Sequence, residues 1–222
     1  VLRHYQKEGY KWLKFLYKFR FGGILADDMG LGKTLQTLSF LRNIEKSNPS
    51  LIVVPKSLVY NWKNECEKFF PQMTLMIYEG SLAQRRLKIE QMKDFDLIVT
   101  SFDLAARDHE ELEKIKFLYL VLDEAHNIKN RTTKRTGNIK KIKSQYRLAI
   151  TGTPLENSLE ELWSIFDFVI PGYFGSFKKF SEEYLKAPEH KERLMIELKN
   201  KITPFMLRRK KEEVLKELPN KM

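Results

Sequence analysis

The chain is short of cysteine, of long apolar runs and, over one stretch, of acidic residues, and each shortage removes an option. A single cysteine, Cys66, stands among 222 residues. Neither an internal disulfide nor a cysteine-held metal cluster is therefore available, and an intracellular, reducing setting (prokaryotic cytoplasm or eukaryotic nucleus) is the economical expectation. Any metal chemistry must use oxygen ligands. No segment approaches the roughly 18 apolar residues of a membrane span, and the opening VLRHYQKEGYKWL has no signal-like apolar run. Neither a membrane partner nor secretion is expected. Residues 125–155 hold no Asp or Glu but eight basic residues: Lys129, Arg131, Lys134, Arg135, Lys140, Lys141, Lys143 and Arg147.

Forty Lys and Arg against 29 Asp and Glu give a formal charge of +11. Because that excess is concentrated, a polyanion is the natural partner, with a solvated helix face as the plainer alternative. A hydrophobic content of 42% over this length suffices for one large domain, or a domain with an appendage.

Short apolar runs alternate with amphipathic stretches along most of the chain. GGILA at 22, LIVV at 51, TLMIY at 74, DLIVTS at 96, FLYLVLD at 117 and RLAIT at 147 read as strands, with helical segments at 34–46, 58–70, 82–93 and 133–142. Near-continuous apolar strands are covered on both faces, which predicts an α/β fold: a doubly wound, mostly parallel sheet with flanking helices. After residue 170 the β-rich alternation stops and apolar residues take helical spacing. We expect a first domain over 1–170 and a helical subdomain over 171–222. The closing LPNKM carries no terminating signal, so the chain reads as part of a longer one.

The stretch ADDMGLGKTLQ, residues 26–36, fits the end of a phosphate-binding loop, but Asp27 stands where the pattern G-x-x-x-x-G-K-S/T has its first glycine. Strand, glycines and helix follow in the order such a loop needs. Gly30 and Gly32 let backbone N–H groups curl around an anion, the helix N-terminus adds partial positive charge, Lys33 reaches the β and γ phosphates, and Thr34 ligates Mg²⁺. A plain glycine-rich turn with an exposed lysine is the alternative. The second motif, LYLVLDEAH, ends an apolar strand in Asp123 and Glu124. Adjacent acids at a buried strand end are costly unless they hold a cation and a water, which suits Asp123 as a Mg²⁺ ligand and Glu124 as the group orienting an attacking water. A polar helix cap is the alternative reading.

These motifs resemble the first RecA-like motor domain of superfamily two helicases, specifically the Swi/Snf family of DNA translocases and remodelling ATPases. LRHYQKEGYKWL, ILADDMGLGKTLQ, LIVVPKSLVYNWKNE, LIVTSFDL, DEAHNIKN, RLAITGTPLENSLEELWSIFDFVIPG and LRRKKEEVLKELPNK follow in that family's order over the whole chain. The resemblance implies an ATP site in which Gln6 contacts adenine and Asp28, Met29, Gly30, Leu31, Gly32, Lys33 and Thr34 form the phosphate loop. Family members commonly carry an acid at the Asp27 position, whose carboxylate is expected to turn away from the phosphates. Catalysis falls to Lys33, Asp123 and Glu124, with Thr34 and Asp123 on the metal. DEAH here lies within the family's range and does not distinguish its members.

The resemblance also implies that Thr151, Gly152 and Thr153 couple nucleotide state to nucleic acid. Lys56, Ser57, Thr100, Ser101, Lys129 and Asn130 are implied to grip a backbone, as small hydroxyls and lysines at strand ends suit phosphates. Trp62, Tyr60 and Tyr78 could stack on bases, but Trp62 falls in an amphipathic helix where core packing is the stronger expectation. His126 fits either contact with a neighbouring motif or a buried hydrogen bond. The family takes its arginine finger from a second RecA-like lobe in a Q-x-x-x-R-x-x-R segment, and no glutamine here has that spacing. Arg208 and Arg209 belong to a stretch leading towards that lobe and are not expected in the ATP site. The implied function is the N-terminal motor lobe of a double-stranded-DNA-dependent ATPase and translocase, weakly active without its second lobe. A strand-separating RNA or DNA helicase and a nucleotide-dependent DNA-binding scaffold are the alternatives.

Overall fold

In the computed structural model, which describes residues 2–45, 47–152, 158–186 and 191–214, the six apolar runs become six parallel strands and a seventh short strand joins one edge. They are β1 (Gly23–Leu25), β2 (Ser50–Val54), β3 (Leu75–Ile77), β4 (Leu97–Ser101), β5 (Phe117–Asp123), β6 (Ser144–Ile150) and β7 (Met206–Leu207), in the spatial order β3-β4-β2-β5-β6-β1-β7. Every position of β2, β4 and β5 is buried, which is why those runs show no alternation.

Alternate residues of one strand serve opposite faces. Leu51, Val53, Leu120 and Leu122 face one core, with Ile165 and Phe166 of α8 (Leu159–Val169), Ile139 of α7 (Lys134–Lys141) and Phe102 of α5 (Phe102–Arg107). Ile52, Val54 and Val121 face the other, with Leu13 of α1 (His4–Lys18), Leu38 and Phe40 of α2 (Lys33–Arg42) and Trp62 of α3 (Val59–Phe69). Helices α4 (Leu82–Gln91) and α6 (His109–Leu112) complete the connections between β3 and β5. The doubly wound α/β expectation holds. No helix among the described residues is long and apolar enough to cross a membrane.

Past residue 170 the chain forms α9 (Phe177–Phe180) and α10 (Lys191–Ile202), and Phe180, Leu198 and Ile202 pack into the first of the two cores. The sequence reading placed no strand in this portion, yet Met206 and Leu207 pair in parallel with Ile24 and Leu25. A two-residue strand has no periodicity to detect; it exists because the sheet edge beside β1 offers unpaired backbone groups.

Register sets the functional edge. Leu25, Ile150 and Asp123 lie abreast, as do Val54 and Ser101, and the Val53–Leu122 pairing brings those two rows to one level. Five strands therefore end together.

Candidate functional site

Ligands of parallel α/β sheets gather at the carboxyl ends of the strands, and here that edge runs in a fixed order. Ser101 ends β4, Lys56 follows β2, Asp123 ends β5, Thr151 follows β6, and the glycine loop at 26–34 follows β1. Asp123 and Glu124 stand in the middle.

The glycine loop is bonded from within. Lys33 Nζ donates to the main-chain oxygens of Asp27 at 2.6 Å and Asp28 at 3.2 Å. Burial holds its ammonium below the ordinary lysine range, opposed by the charges of Asp27, Glu124, Asp123 and Asp28. Gly32, the N-cap of α2, is left-handed at φ 70°, and a Cβ there would lie 2.6 Å from Gln6 Nε2. Gly32 is thus required for its dihedral, while a Cβ would also displace the Gln6 amide. Thr34 sits in the first turn of α2 and Met29 stands 73% exposed on the loop crest. The Leu31 side chain is buried with Tyr5 and Val214, and its carbonyl accepts from Gln6 Nε2 at 3.3 Å and Gln36 Nε2 at 3.2 Å. What Leu31 offers a ligand is backbone alone. Gln6 is buried, not an exposed helix residue; its Oε1 accepts from Arg3 N at 2.9 Å.

Asp27, the residue that breaks the glycine pattern, is fully buried. Its Oδ1 accepts from Arg209 Nε at 2.9 Å and from Arg209 N at 3.1 Å, its Oδ2 from Gln36 Nε2 at 3.3 Å and from Arg209 Nη2. The carboxylate's oxygens are thus taken by Arg209 and Gln36, while its charge still reaches Lys33.

At the end of β5, Trp62 Nε1 donates to Asp123 Oδ2 at 2.8 Å, and the Glu124 N–H donates to Asp123 Oδ1 at 3.0 Å. Burial raises the Asp123 carboxyl above the ordinary aspartate range; the Trp62 bond opposes this and the Glu124 charge adds to it. Burial, then the Asp123 charge, likewise raises Glu65, one turn beyond Trp62 on α3. Glu124 is left-handed at φ 52°, a conformation costing a non-glycine residue about 1–2 kcal/mol. Its carboxylate lies 3.3 Å from His126 Nδ1 without making a hydrogen bond to it, so His126 meets its own motif. Asp123 and Glu124, both close enough to Lys33 to act on its charge, make an acidic pair facing a cation across a glycine loop. Such a pair can bind a divalent ion and polarise a water.

Thr151 is fully buried, and its N–H donates to Leu25 O at 3.1 Å, tying β6 to β1. A Cβ on Gly152 would stand 2.9 Å from Met29 Cγ and 3.5 Å from Lys33 Nζ. That segment therefore touches the glycine loop directly. Thr153 lies outside the described residues.

On the other side of Asp123, Lys56 and Ser57 are exposed. Lys56 lines a cleft of about 330 Å³ with Gly80, Ser101, Asp103 and Arg107. Ser101 Oγ accepts from Leu104 N at 3.3 Å as the cap of α5. Thr100 departs from the expectation: it is fully buried and its hydroxyl donates to Tyr78 O at 2.8 Å, so it shapes the cleft from beneath and presents no hydroxyl at the rim. Lys129 and Asn130 are exposed, with Asn130 Oδ1 closing a turn onto Thr132 N at 3.1 Å.

The acid-free run is less uniform than its sequence suggests, because acids come from elsewhere in the chain. Lys140 pairs with Asp167 at 2.7 Å, Lys143 with Glu113 at 3.5 Å and Arg135 with Asp103 at 3.6 Å. Arg147 donates to the carbonyls of Phe168 and Lys140. Lys129, Arg131, Lys134 and Lys141 stay exposed, Arg131 with its guanidinium 3.9 Å from the Phe177 ring centre. Trp62 is fully buried, as packing predicted, and Tyr78 is buried with its hydroxyl on Asp108. Three residues escaped sequence reasoning: the Trp62 indole as a partner of Asp123, Arg209 as the partner of Asp27, and Arg107 beside Lys56. Only the last had a signal, a basic residue ending the helix that follows a rim strand.

A parallel α/β domain with a glycine loop, an acidic strand end and a basic rim on one edge defines a nucleotide-site class of protein. The SNF2-related domain model matches residues 5–222, and the chain belongs to that family. An ATP-dependent helicase of Mycoplasma genitalium is 44% identical over 225 residues, covering all of this chain and 22% of the relative. The TATA-binding protein-associated factor MOT1 of Saccharomyces cerevisiae is 41% identical over 250 residues, covering all of this chain and 13% of the relative. The Sulfolobus solfataricus SWI2/SNF2 ATPase core, solved in complex with double-stranded DNA, superposes with a TM-score of 0.91 at 39% identity over 99% of this chain and 47% of that one. The chain thus spans under a quarter of these curated relatives and about half of the solved core.

Proposed function

We propose that this chain is the first motor lobe of a DNA-dependent ATPase that turns ATP hydrolysis into movement along duplex DNA. One observation supports this above the others: Asp123 and Glu124 stand on one sheet edge between the glycine loop and a basic, strand-end rim. The kinship with an ATPase core solved on duplex DNA supports the same reading. In this reading the loop over residues 28–34 is a phosphate loop and Gln6 meets the adenine. Lys33 leaves the carbonyls of Asp27 and Asp28 for the β and γ phosphates. Mg²⁺ typically takes one or two carboxylates and completes its shell with phosphates and waters, and Asp123 with the Thr34 hydroxyl is a donor set of that kind. When bound, the ion neutralises charge at the β and γ phosphates. Glu124, on its left-handed turn, orients the attacking water, and Trp62 fixes Asp123.

Lys56, Ser57, Ser101, Lys129 and Asn130 would grip backbone phosphates, with Arg107 added and Thr100 beneath them. Thr151, Gly152 and Thr153 would report nucleotide state to that rim. The portion over 171–222 would lead to a second RecA-like lobe supplying the arginine finger, and an intracellular setting follows. ATPase measurements on the full-length protein with duplex, single-stranded and no DNA test the proposal. Stimulation by duplex supports it, stimulation by single strands alone favours a strand-separating helicase, and turnover indifferent to DNA overturns it.

A further inference from the structure

We propose that Arg209 is a positioning residue for the nucleotide site, holding the glycine loop from outside through Asp27; the role rests on the ATPase reading above. The chain returns beside the loop 182 residues after it left, and the bonds form a continuous strap. The Ala26 N–H donates to Leu207 O at 2.7 Å and the Asp28 N–H to Arg209 O at 3.0 Å, while the Lys211 N–H donates to Asp28 Oδ2 at 2.9 Å. This carries the β1–β7 pairing past the end of both strands and into the loop.

The Arg209 side chain, 11% exposed, does more than pair with Asp27. Nη2 donates to Gln36 Oε1 at 2.8 Å and Nη1 to Tyr5 O, and the guanidinium lies 5.4 Å from the Tyr5 ring centre. One planar group therefore joins the residue before Gln6, the first residues of the loop and the helix that begins with Lys33. Its fork geometry suits such multiple acceptors, which an ammonium cannot match. The fit is close enough to constrain α1: a Cβ on Gly9 would collide with Gln36 Oε1 and come within 2.9 Å of Arg209 Nη2.

The consequence is specific. Asp27 O accepts from Lys33 Nζ, and Leu31 O accepts from Gln36 and Gln6. Shifting Asp27 or Gln36 therefore shifts the loop's backbone relative to its lysine, while the rim at Lys56 and Ser101, on the far side of β5, has no bond to the strap among those described.

The test uses the full-length protein carrying Arg209→Ala, Arg209→Lys or Gly9→Ala, the last disturbing the network without changing charge. In Arg209→Ala, the dissociation constant for a fluorescent Mg-ADP should rise about tenfold, the scale of one charge-assisted hydrogen bond. The KM for ATP should rise in proportion, with kcat within about twofold, the signature of lost uniform binding. Arg209→Lys should recover part of the loss, Gly9→Ala should share it, and duplex affinity without nucleotide should stay at the wild-type value. Wild-type nucleotide affinity in Arg209→Lys and Gly9→Ala overturns the role, as does a common fall of nucleotide affinity, duplex affinity and kcat, which would make the strap a general brace. A wild-type protein that binds no nucleotide overturns the ATPase reading as well, and is thereby told apart from failure of the role alone.

Discussion

The rim of the sheet is built by opposite means on the two sides of Asp123. On the glycine-loop side, polar groups are consumed internally: Lys33 on loop carbonyls, Asp27 on Arg209, Gln6 and Gln36 on Leu31. On the β2 and β4 side, Lys56, Ser57 and Arg107 are exposed around an open cleft. A site that must hold a small, highly charged ligand in one geometry gains from a prebuilt and rigid cradle. A surface that slides along a repeating polyanion needs charge without fixed geometry. The difference between the sides is what the proposed motor, gripping one partner tightly and another loosely, would require.

The largest test of that contrast lies at its midpoint. Glu124→Gln should keep nucleotide and duplex binding in the full-length protein while lowering turnover at least about a hundredfold, because the amide keeps the shape but cannot draw a proton from water. Lys33→Ala should instead weaken triphosphate binding itself, visible in a nucleotide titration. Near-normal ATPase in either variant would remove that residue's role from the mechanism.

Next in size is the bond that reaches Asp123 from α3. Trp62→Phe preserves most of the buried ring but deletes the donor, a loss on the order of 1–2 kcal/mol or roughly tenfold in kcat/KM. The bond favours the charged form of Asp123, so its loss moves that carboxyl further up and shifts the acid limb of the pH–rate profile to higher pH. An unchanged profile would reduce Trp62 to packing.

Much of this site was legible before any coordinates, and the exceptions share one cause. The glycine loop, the acidic pair and six strands were readable because each is written in adjacent residues or a short period. Arg209 with Asp27, Trp62 with Asp123, and the pairing of Lys140 with Asp167 join residues far apart in the chain, which no local pattern encodes. The same holds for Thr100, whose type suits a phosphate but whose burial is a property of the assembled sheet. The acid-free run misled for that reason: absence of acids nearby in sequence is not absence of acids nearby in space.

The open side is tested by salt. Lys56→Ala with Lys129→Ala should weaken binding to unrelated duplexes alike and flatten the log–log salt dependence by about 1.8, two contacts at about 0.9 each. Lys116→Ala with Lys143→Ala removes the same charge from the strand ends opposite the rim, at β5 and β6, and should leave the slope nearly unchanged. Equal slopes from the two pairs would make the rim an ordinary solvated surface.

The smallest effect concerns what the midpoint costs the fold. Burial raises the Asp123 carboxyl above its ordinary 3.8, so the folded state binds a proton more readily than the unfolded one. Stability from this group is therefore fully present below pH 3.8 and is lost as pH rises through the folded value, leaving the folded state burdened by the buried charge at neutral pH. Asp123→Asn removes the charge and keeps an acceptor for the Trp62 indole but turns its amide nitrogen on the Glu124 N–H, so it should be inactive and should gain in melting temperature relative to wild type as pH rises. The gain should be on the order of 2–4 °C for each kcal/mol recovered. Melting curves of both proteins from pH 4 to 8 decide it: the variant's advantage should grow with pH and then level off. A difference between the two proteins that does not change with pH would mean that the folded state carries no burden from the Asp123 charge.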